Sequence, residues 1–252
     1  MNFILPFESV SKQSMLILGF VQVVLALFIW NVIAVGTVFP SPVEVLATYP
    51  KLISHGLFEN LWISISALLK SLLYGSSIAI CLALSSSIAL FRPITTFINT
   101  LRFIGYAGLT FIFLNIFNNG GDLKVALLTF GIAISMTYSL LREVAIISQV
   151  QLDYATSLNL NSFQKLKELF LYAKFDKILE AIQINAAIGW ALLTMVEGMT
   201  MSQGGIGRML LIENKFMTLS TVFAIQIVIL IYGFCQDQVL IQVKKWMCPW
   251  SK

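Results

Sequence analysis

Long apolar runs, separated by short polar stretches, dominate the chain. A helix needs about 20 apolar residues to cross the hydrocarbon layer of a bilayer. Runs of that length predict spans at about 15–38, 61–90, 97–117, 123–147, 178–201 and 219–243. Arg92 and Pro93 end the second run, and the turn-forming sequence NNGGD ends the third. The pattern predicts an all-α, polytopic membrane protein with six transmembrane helices, forming one transmembrane domain over residues 1–252.

The composition excludes an ordinary soluble protein. Hydrophobic residues make up 58% of the chain and charged residues 11%, and the mean hydropathy is +0.87. Soluble domains usually carry about 25% charged residues, so this chain has too few charges to cover a water-facing surface. The net charge of +4 would suggest a nucleic-acid partner in a soluble protein. In a membrane protein it indicates basic cytoplasmic loops, so we expect a lipid bilayer as partner and no nucleic acid.

The distribution of lysine and arginine predicts the orientation. With the N-terminus inside, eleven of the 16 basic residues lie in cytoplasmic segments and four lie outside, namely Lys51, Lys124, Arg208 and Lys215. This asymmetry follows the positive-inside rule and places both termini in the cytoplasm. Lys70 remains, inside the second run. Its side chain either reaches back to the membrane interface or faces a pore.

One stretch between the fourth and fifth runs is polar, and we call residues 153–175 the polar insert. Its sequence, DYATSLNLNSFQKLKELFLYAKF, has apolar residues at helical spacing with lysines largely elsewhere. Asn159 and Asn161 tolerate a left-handed backbone, which predicts a helix–turn–helix, and Asn161 or Ser162 can cap the second helix. The insert is either an amphipathic helix lying on the inner leaflet or a docking helix for a soluble partner.

The order of residues in the insert resembles the coupling loop of ABC importer permeases. The group it resembles is the binding-protein-dependent, type I family of sulfonate, taurine and nitrate permeases. Asp153 stands where that family has glutamate, Ala155 keeps the second alanine, Asn159 replaces a glycine, and Tyr172 replaces a proline. The resemblance implies that the insert is a cytoplasmic coupling helix. The residues it implies for ATPase coupling are Asp153, Ala155, Asn159, Phe163 and Leu166.

The C-terminal third carries a second resemblance to the same family. The sequence NAAIGWALLTMVEGMTMSQGGIGRML is similar to the family's run of a Gly-Trp pair, an acidic residue and a Gly-x-Gly outer turn. The matching residues are Gly189, Trp190, Glu197, Gly205 and Gly207, and the resemblance extends over about residues 39–250. The middle of the chain departs from the family, notably at residues 106–118, where the family's prolines are absent. The resemblance therefore leaves the solute open.

Four residues are candidates for the translocation pathway: Trp190, Glu197, Asn115 and Lys70. Glu197 lies deep in an apolar run, where an unpaired carboxylate is costly, so it is either a pathway or gating residue or an interhelical hydrogen-bonding group. Trp190 either packs between helices or contacts the solute. Asn115 either binds an anion through its amide or marks the exit of the third span.

The sequence contains no catalytic constellation, no clustered metal ligands and no Gly-Lys-Ser/Thr phosphate loop, so we expect no enzyme activity and no cofactor in this chain. The resemblance implies two partner ABC ATP-binding subunits, which would bind ATP and Mg, and a periplasmic or lipid-anchored solute-binding protein. Since no internal duplication is visible, a second copy or a paralogue would complete the pore. The implied function is ATP-driven import of a small anionic solute, such as a sulfonate or nitrate, across the bacterial inner membrane by alternating access. A secondary transporter or channel subunit, and a membrane anchor or scaffold, remain alternatives.

Overall fold

The structure is a computed structural model that describes residues 12–201 and 204–250. Within these ranges the chain is helical and contains no β-strand, which confirms the all-α fold class. Lys252, which was counted among the cytoplasmic basic residues, lies outside the described residues. The helices are α1 Lys12–Ala34, α2 Pro42–Ala47, α3 Tyr49–Ser54, α4 Leu57–Ser86, α5 Arg92–Thr100, α6 Tyr106–Ile116, α7 Gly120–Ala145, α8 Gln149–Ser157, α9 Ser162–Leu166, α10 Phe175–Thr200, α11 Ile206–Lys215 and α12 Leu219–Met247.

Five described helices, α1, α4, α7, α10 and α12, are long and apolar enough to cross a membrane. The third predicted span is not one continuous helix, contrary to the expectation from hydropathy. It consists of α5, a 3₁₀ turn at Leu101–Phe103 and α6, with a bend of 115°. Ile104 and Gly105 have extended backbones, and this interrupts the helical hydrogen bonding. By length and composition, the described residues therefore contain up to six segments that could cross a membrane, if the bent pair counts as one.

The chain divides into two compact units. The smaller unit comprises the described part of Met1–His55 together with Glu213–Ala224. Within it, the indole of Trp30 lies 5.9 Å from the ring of Phe223 and donates a hydrogen bond to the carbonyl of Pro40 at 2.9 Å. Helix α2 starts at a capping box formed by Ser41 and Glu44, and this fixes where the chain resumes a helix after α1.

The larger unit, Gly56–Ile212 with Ile225–Lys252, is built around α4, α7 and α10. Close packing of these helices depends on small residues. A Cβ atom added to Gly189 on α10 would lie 2.6 Å from Cδ1 of Leu68 on α4, so no larger residue fits there without movement. Membrane helices commonly use small residues in this way because lipid supplies no hydrophobic drive for association.

One end of this three-helix core is closed by the polar insert. Phe170 of the insert is fully buried in a cluster with Ala79 and Ala83 of α4, Met136 and Leu140 of α7, and Ile178 and Ala181 of α10. Leu166 packs against the same cluster. The insert is therefore anchored in the core rather than merely connected to it.

Candidate functional site

The turn before α11 is held by side chains from α4 and α10. Three consecutive backbone N–H groups, those of Gly205, Ile206 and Gly207, donate hydrogen bonds to Asn60 Oδ1, Ser64 Oγ and Glu197 Oε2, each at 2.8 Å. The first N–H groups of a helix have no partner within the helix, so these side chains satisfy the N-terminus of α11. A carboxylate at this end is also favoured by the helix dipole.

Glu197 is fully buried and lies at the centre of this network. Lys124 Nζ on α7 lies 3.0 Å from Glu197 Oε1, and Ser64 Oγ on α4 donates at 2.8 Å. Together with the N–H of Gly207, these groups give the Glu197 side chain three donors from three different elements. Such a donor set suits a charged carboxylate, which has only acceptors. The structure therefore shows Glu197 as an interhelical hydrogen-bonding group.

Lys124, which was counted among the basic residues of the outer segments, lies near the start of α7 and is only 2% exposed. The sequence alone did not indicate a partner for its charge. Its buried ammonium is stable there because Glu197 supplies the opposite charge.

The two glycines of the Gly-x-Gly turn are required by this network. Gly205 has a φ of +116°, and a Cβ atom at this position would collide with the carboxylate of Glu197. A Cβ atom at Gly207 would lie 2.5 Å from the backbone oxygen of Thr194. The acidic residue and the glycines that the sequence singled out are therefore parts of one site, formed by direct contact.

Lys70 lies elsewhere, in a cavity of about 910 Å³ between α4, the end of α6 and the start of α7. Its side chain is exposed and lies near the middle of α4, not at an end. The polar residues Ser66, Tyr74 and Ser77 line the same side, and aromatic rings line the cavity as well: Phe113, Phe117 and Phe130. Lys70 thus lines this cavity and does not lie at an end of its helix.

The charges of this cavity are mixed. Lys124 and Asp122 also line it, but Lys124 is neutralised by Glu197, and Asp122 lies in the exposed first turn of α7. Within the described residues Lys70 makes no hydrogen bond or ion pair to the protein. A lysine ammonium that has no partner in the protein and lies in a helix long enough to cross a membrane is best accommodated by water or by an anion in the cavity.

The polar insert forms the predicted helix–turn–helix. Helix α8 ends at Ser157, Asn159 adopts a left-handed φ of 55°, and α9 starts after Asn161. Asn161 caps α9 in a capping box with Gln164. A π-helical turn at Lys167–Tyr172 follows, in which the N–H of Ala173 donates to the carbonyl of Glu168. This turn ends at Tyr172, the position at which the permease family that the insert resembles has a proline.

The insert's predicted coupling residues have different environments. Ala155 is buried and Leu166 packs on the core cluster, so both stabilise the insert itself. Asp153 is exposed and accepts a hydrogen bond from Gln149 at 3.0 Å. Phe163 is 77% exposed. Other apolar side chains exposed on α8 and the turn are Val150, Leu152, Tyr154 and Leu158.

The two remaining pathway candidates bond to the protein. Trp190 is buried, donates to Gln236 Oε1 at 2.9 Å and packs edge-on against Tyr232 of α12. Asn115 is exposed on α6 and donates to the carbonyl of Phe111, one turn earlier in the same helix. Neither residue lines the cavity of Lys70.

Sequence reasoning missed Ser64 and Asn60, which complete the network around Glu197. Their spacing of four residues on α4, which places them on one helix face, was the only available signal. It also missed Glu180 on α10, whose carboxylate lies 3.0 Å from Lys177 Nζ and 3.2 Å from Lys244 Nζ on α12. The sequence places Lys177, Glu180 and Lys244 near the ends of two long apolar runs, but it does not indicate which of these charges pair.

Comparisons with known proteins agree with this architecture. No family model matches the chain. A curated relative from Bacillus subtilis (strain 168), "Putative aliphatic sulfonates transport permease protein SsuC", is 24% identical over 230 residues, covering 88% of this chain and 83% of the relative. A solved structure of the MetNI methionine ABC transporter in inward-facing conformations matches with a TM-score of 0.60 and 14% identity, covering 77% of this chain and 95% of that chain. The resemblance to ABC importer permeases is thereby confirmed, and the chain has the fold of such a permease.

Proposed function

We propose that the chain is the membrane permease subunit of an ATP-driven ABC importer. The observation that carries the proposal is the match to a transport permease over most of both chains, joined to a fold shared with an ABC transporter. In this assignment the chain forms the membrane pathway, and partner subunits bind ATP and Mg and hydrolyse the nucleotide. Differential binding of those partners to two states of the permease supplies the coupling.

The geometry of the polar insert supports a role as the coupling helix. One face of the insert reaches into the core through Phe170, so a displacement of the insert would be transmitted to α4, α7 and α10. Elsewhere on α8 and α9, Tyr154 and Phe163 are largely exposed. Exposed aromatic residues on a short, rigid element are typical anchors for a partner's pocket. We therefore assign this exposed surface to the ATP-binding subunits, two per complex.

The cavity of Lys70 supports a small anionic solute. A partner-free ammonium attracts a negative head group, while the aromatic rings of Phe113, Phe117 and Phe130 suit an apolar body. The sulfonate named for the curated relative has this chemistry, and we propose a sulfonate-like solute for this chain. Among the pathway candidates, Lys70 is thus the residue that we expect to contact the solute.

The remaining parts of the assembly follow from the same assignment. A second copy of this chain or a paralogue would complete the pathway, and a solute-binding protein would deliver the solute to the outer face. We propose the bacterial inner membrane as location, with both termini in the cytoplasm, in agreement with the lysine and arginine distribution. A secondary transporter would need ionisable groups that change partners in the spans. Lys124 and Glu197 form a buried pair with each other, and this pairing gives no support to that alternative.

Co-purification tests this function. The tagged chain is isolated from its native membranes, and stoichiometric retention of an ATPase is measured together with solute-stimulated hydrolysis. Truncation of the exposed Phe163 to alanine should reduce retention of the ATPase at least about tenfold, because an anchor residue contributes about 2 kcal/mol or more to an interface. Phe103→Ala is the matched control, since Phe103 is also 77% exposed but lies outside the insert.

The outcomes are distinct. Loss of the ATPase with Phe163→Ala, and its retention with Phe103→Ala, supports the assignment. Purification of the wild-type chain without an ATPase, combined with solute transport by the chain alone in liposomes, would refute it.

A further inference from the structure

A second cavity, of about 680 Å³, lies beside the polar insert and is distinct from the cavity of Lys70. It is formed where the end of α4, the first turns of α5, the end of α7 and the start of α9 meet. Its volume is within the range of small-molecule sites in proteins. The proposed transport mechanism does not use it.

The charged residues that line this cavity are all cationic. Arg92 comes from α5 and Lys165 from α9, and the lining contains no aspartate or glutamate. Hydroxyl groups of Ser87 and Ser162 also line the cavity, whereas those of Ser86, Thr95 and Thr96 already donate to backbone carbonyls of their own helices. Guanidinium, ammonium and hydroxyl groups are the donors with which proteins bind phosphate and related oxyanions.

The two cations retain donors for a ligand. Within the described residues Arg92 makes no side-chain hydrogen bond or ion pair, although a guanidinium carries five N–H donors. Lys165 donates to the hydroxyl of Thr156 at 2.8 Å, which leaves two of its three donors. Two cations that face one cavity repel each other, and an anion between them would offset that repulsion.

The position of Arg92 adds to the demand for an anion. It is the first residue of α5, and no side chain caps that helix. A cation is unfavourable at a helix N-terminus, because the dipole there is positive. An anion in the cavity would offset both the guanidinium and the helix end.

We infer that this cavity is a binding site for a phosphate-type oxyanion, held between Arg92 and Lys165. The occupant would bridge α5 to the polar insert. Two sources share this chemistry: free inorganic phosphate and the phosphodiester of an anionic lipid. Apolar residues of the lining, including Leu141, Val144 and Leu169, would accommodate the glycerol and upper acyl part of a lipid. The inference that an oxyanion binds here does not rest on the proposed function. Only the compartment from which the ligand is supplied depends on that function.

The test uses the full chain with the subunits that co-purify with it. In the first arm the protein is placed in phosphatidylcholine nanodiscs containing a minority of phosphatidylglycerol, and native mass spectrometry measures retained phosphatidylglycerol. In the second arm the discs contain phosphatidylcholine alone, and inorganic phosphate is titrated by calorimetry. The variants are Arg92→Gln, Lys165→Gln and the charge-preserving Arg92→Lys. Lys167→Gln is the matched control, because Lys167 is exposed and does not line the cavity.

We expect each glutamine variant of the cavity to weaken binding about tenfold or more, since it removes a charge-assisted hydrogen bond. Arg92→Lys and Lys167→Gln should bind nearly as the wild type does. Loss confined to the first arm identifies a lipid headgroup, and loss confined to the second identifies free phosphate. Binding that is absent in both arms, or equal in Arg92→Gln and Lys167→Gln, overturns the inference. Neither outcome depends on ATPase co-purification, so this inference and the proposed function can fail separately.

Discussion

Removing the ammonium of Lys124 is the sharpest test of the buried network. The variant Lys124→Met keeps the length and apolar stem of the side chain but leaves the carboxylate of Glu197 buried without its cation. Of the donors found in the described ranges, the carboxylate then retains two neutral ones, Ser64 Oγ and the N–H of Gly207. Breaking a buried ion pair in this way costs about 3–5 kcal/mol of folding free energy.

This cost predicts a measurable loss of thermal stability. For a chain of this size, 1 kcal/mol corresponds to roughly 2–4 °C in Tm, so the expected decrease is roughly 6–20 °C. The assay is size-exclusion chromatography of the detergent-solubilised protein after heating at a series of temperatures. The double variant Lys124→Met/Glu197→Gln removes both charges, and we expect it to be more stable than the sum of the two single effects predicts, by about 1–3 kcal/mol.

The control is a pair with the same geometry but a different environment. Lys177 and Glu180 also lie 3.0 Å apart, but their side chains are 42% and 41% exposed. Exposed ion pairs contribute about 0–1 kcal/mol, so Lys177→Met should lower Tm by less than about 4 °C. If Lys124→Met lowers Tm no more than Lys177→Met, or if the double variant is strictly additive, the network is not a coupled buried ion pair and the reasoning fails.

Three further predictions follow from the geometry. Gly207→Ala should abolish folded protein in the same assay, because the added Cβ atom would lie 2.5 Å from a backbone carbonyl oxygen of α10. Gly198→Ala should be tolerated, because the nearest atom to its added Cβ lies at 3.7 Å. Equal behaviour of the two variants would contradict the close contact at Gly207. Phe170→Ala should lower the free energy of unfolding by about 3–5 kcal/mol, because it removes the large side chain from the core cluster. The expected decrease in Tm is roughly 6–20 °C. An unchanged Tm would show that the insert is not anchored there. In a background without native cysteines, Ser77→Cys should react faster with an anionic methanethiosulfonate reagent than with a cationic one. This preference should disappear with Lys70→Gln but persist with Lys70→Arg. A preference that survives Lys70→Gln would remove Lys70 from the anion site.

Local patterns were sufficient for the features that depend on sequence neighbours. The apolar runs predicted five long helices to within a few residues, because a helix in lipid satisfies its own backbone and requires only sufficient apolar length. The turn of the polar insert was equally predictable. Asparagine is one of the few residues that adopt a left-handed backbone at small cost, and Asn159 does so. The cap at Asn161 follows from the same local chemistry.

Hydropathy does not indicate where an apolar run bends. It predicted one span at 97–117, and the structure places a bend between α5 and α6, because a mostly apolar sequence does not exclude the extended backbone found at Ile104 and Gly105. Likewise Phe163 and Phe170, which lie seven positions apart in the polar insert, have side chains of equal hydrophobicity. One is exposed and the other fully buried, since only Phe170 meets the surface made by the three core helices.

By itself the sequence determined that this chain spans a membrane as helices and that Glu197, Gly205 and Gly207 form a motif. Only the tertiary structure decided that Lys124 is the partner of Glu197 and that Lys70 faces a cavity. The physical reason is that the free energy of a charge in lipid depends on what lies beside it. Those neighbours come from helices distant in the chain, as with the 73 residues that separate Lys124 from Glu197.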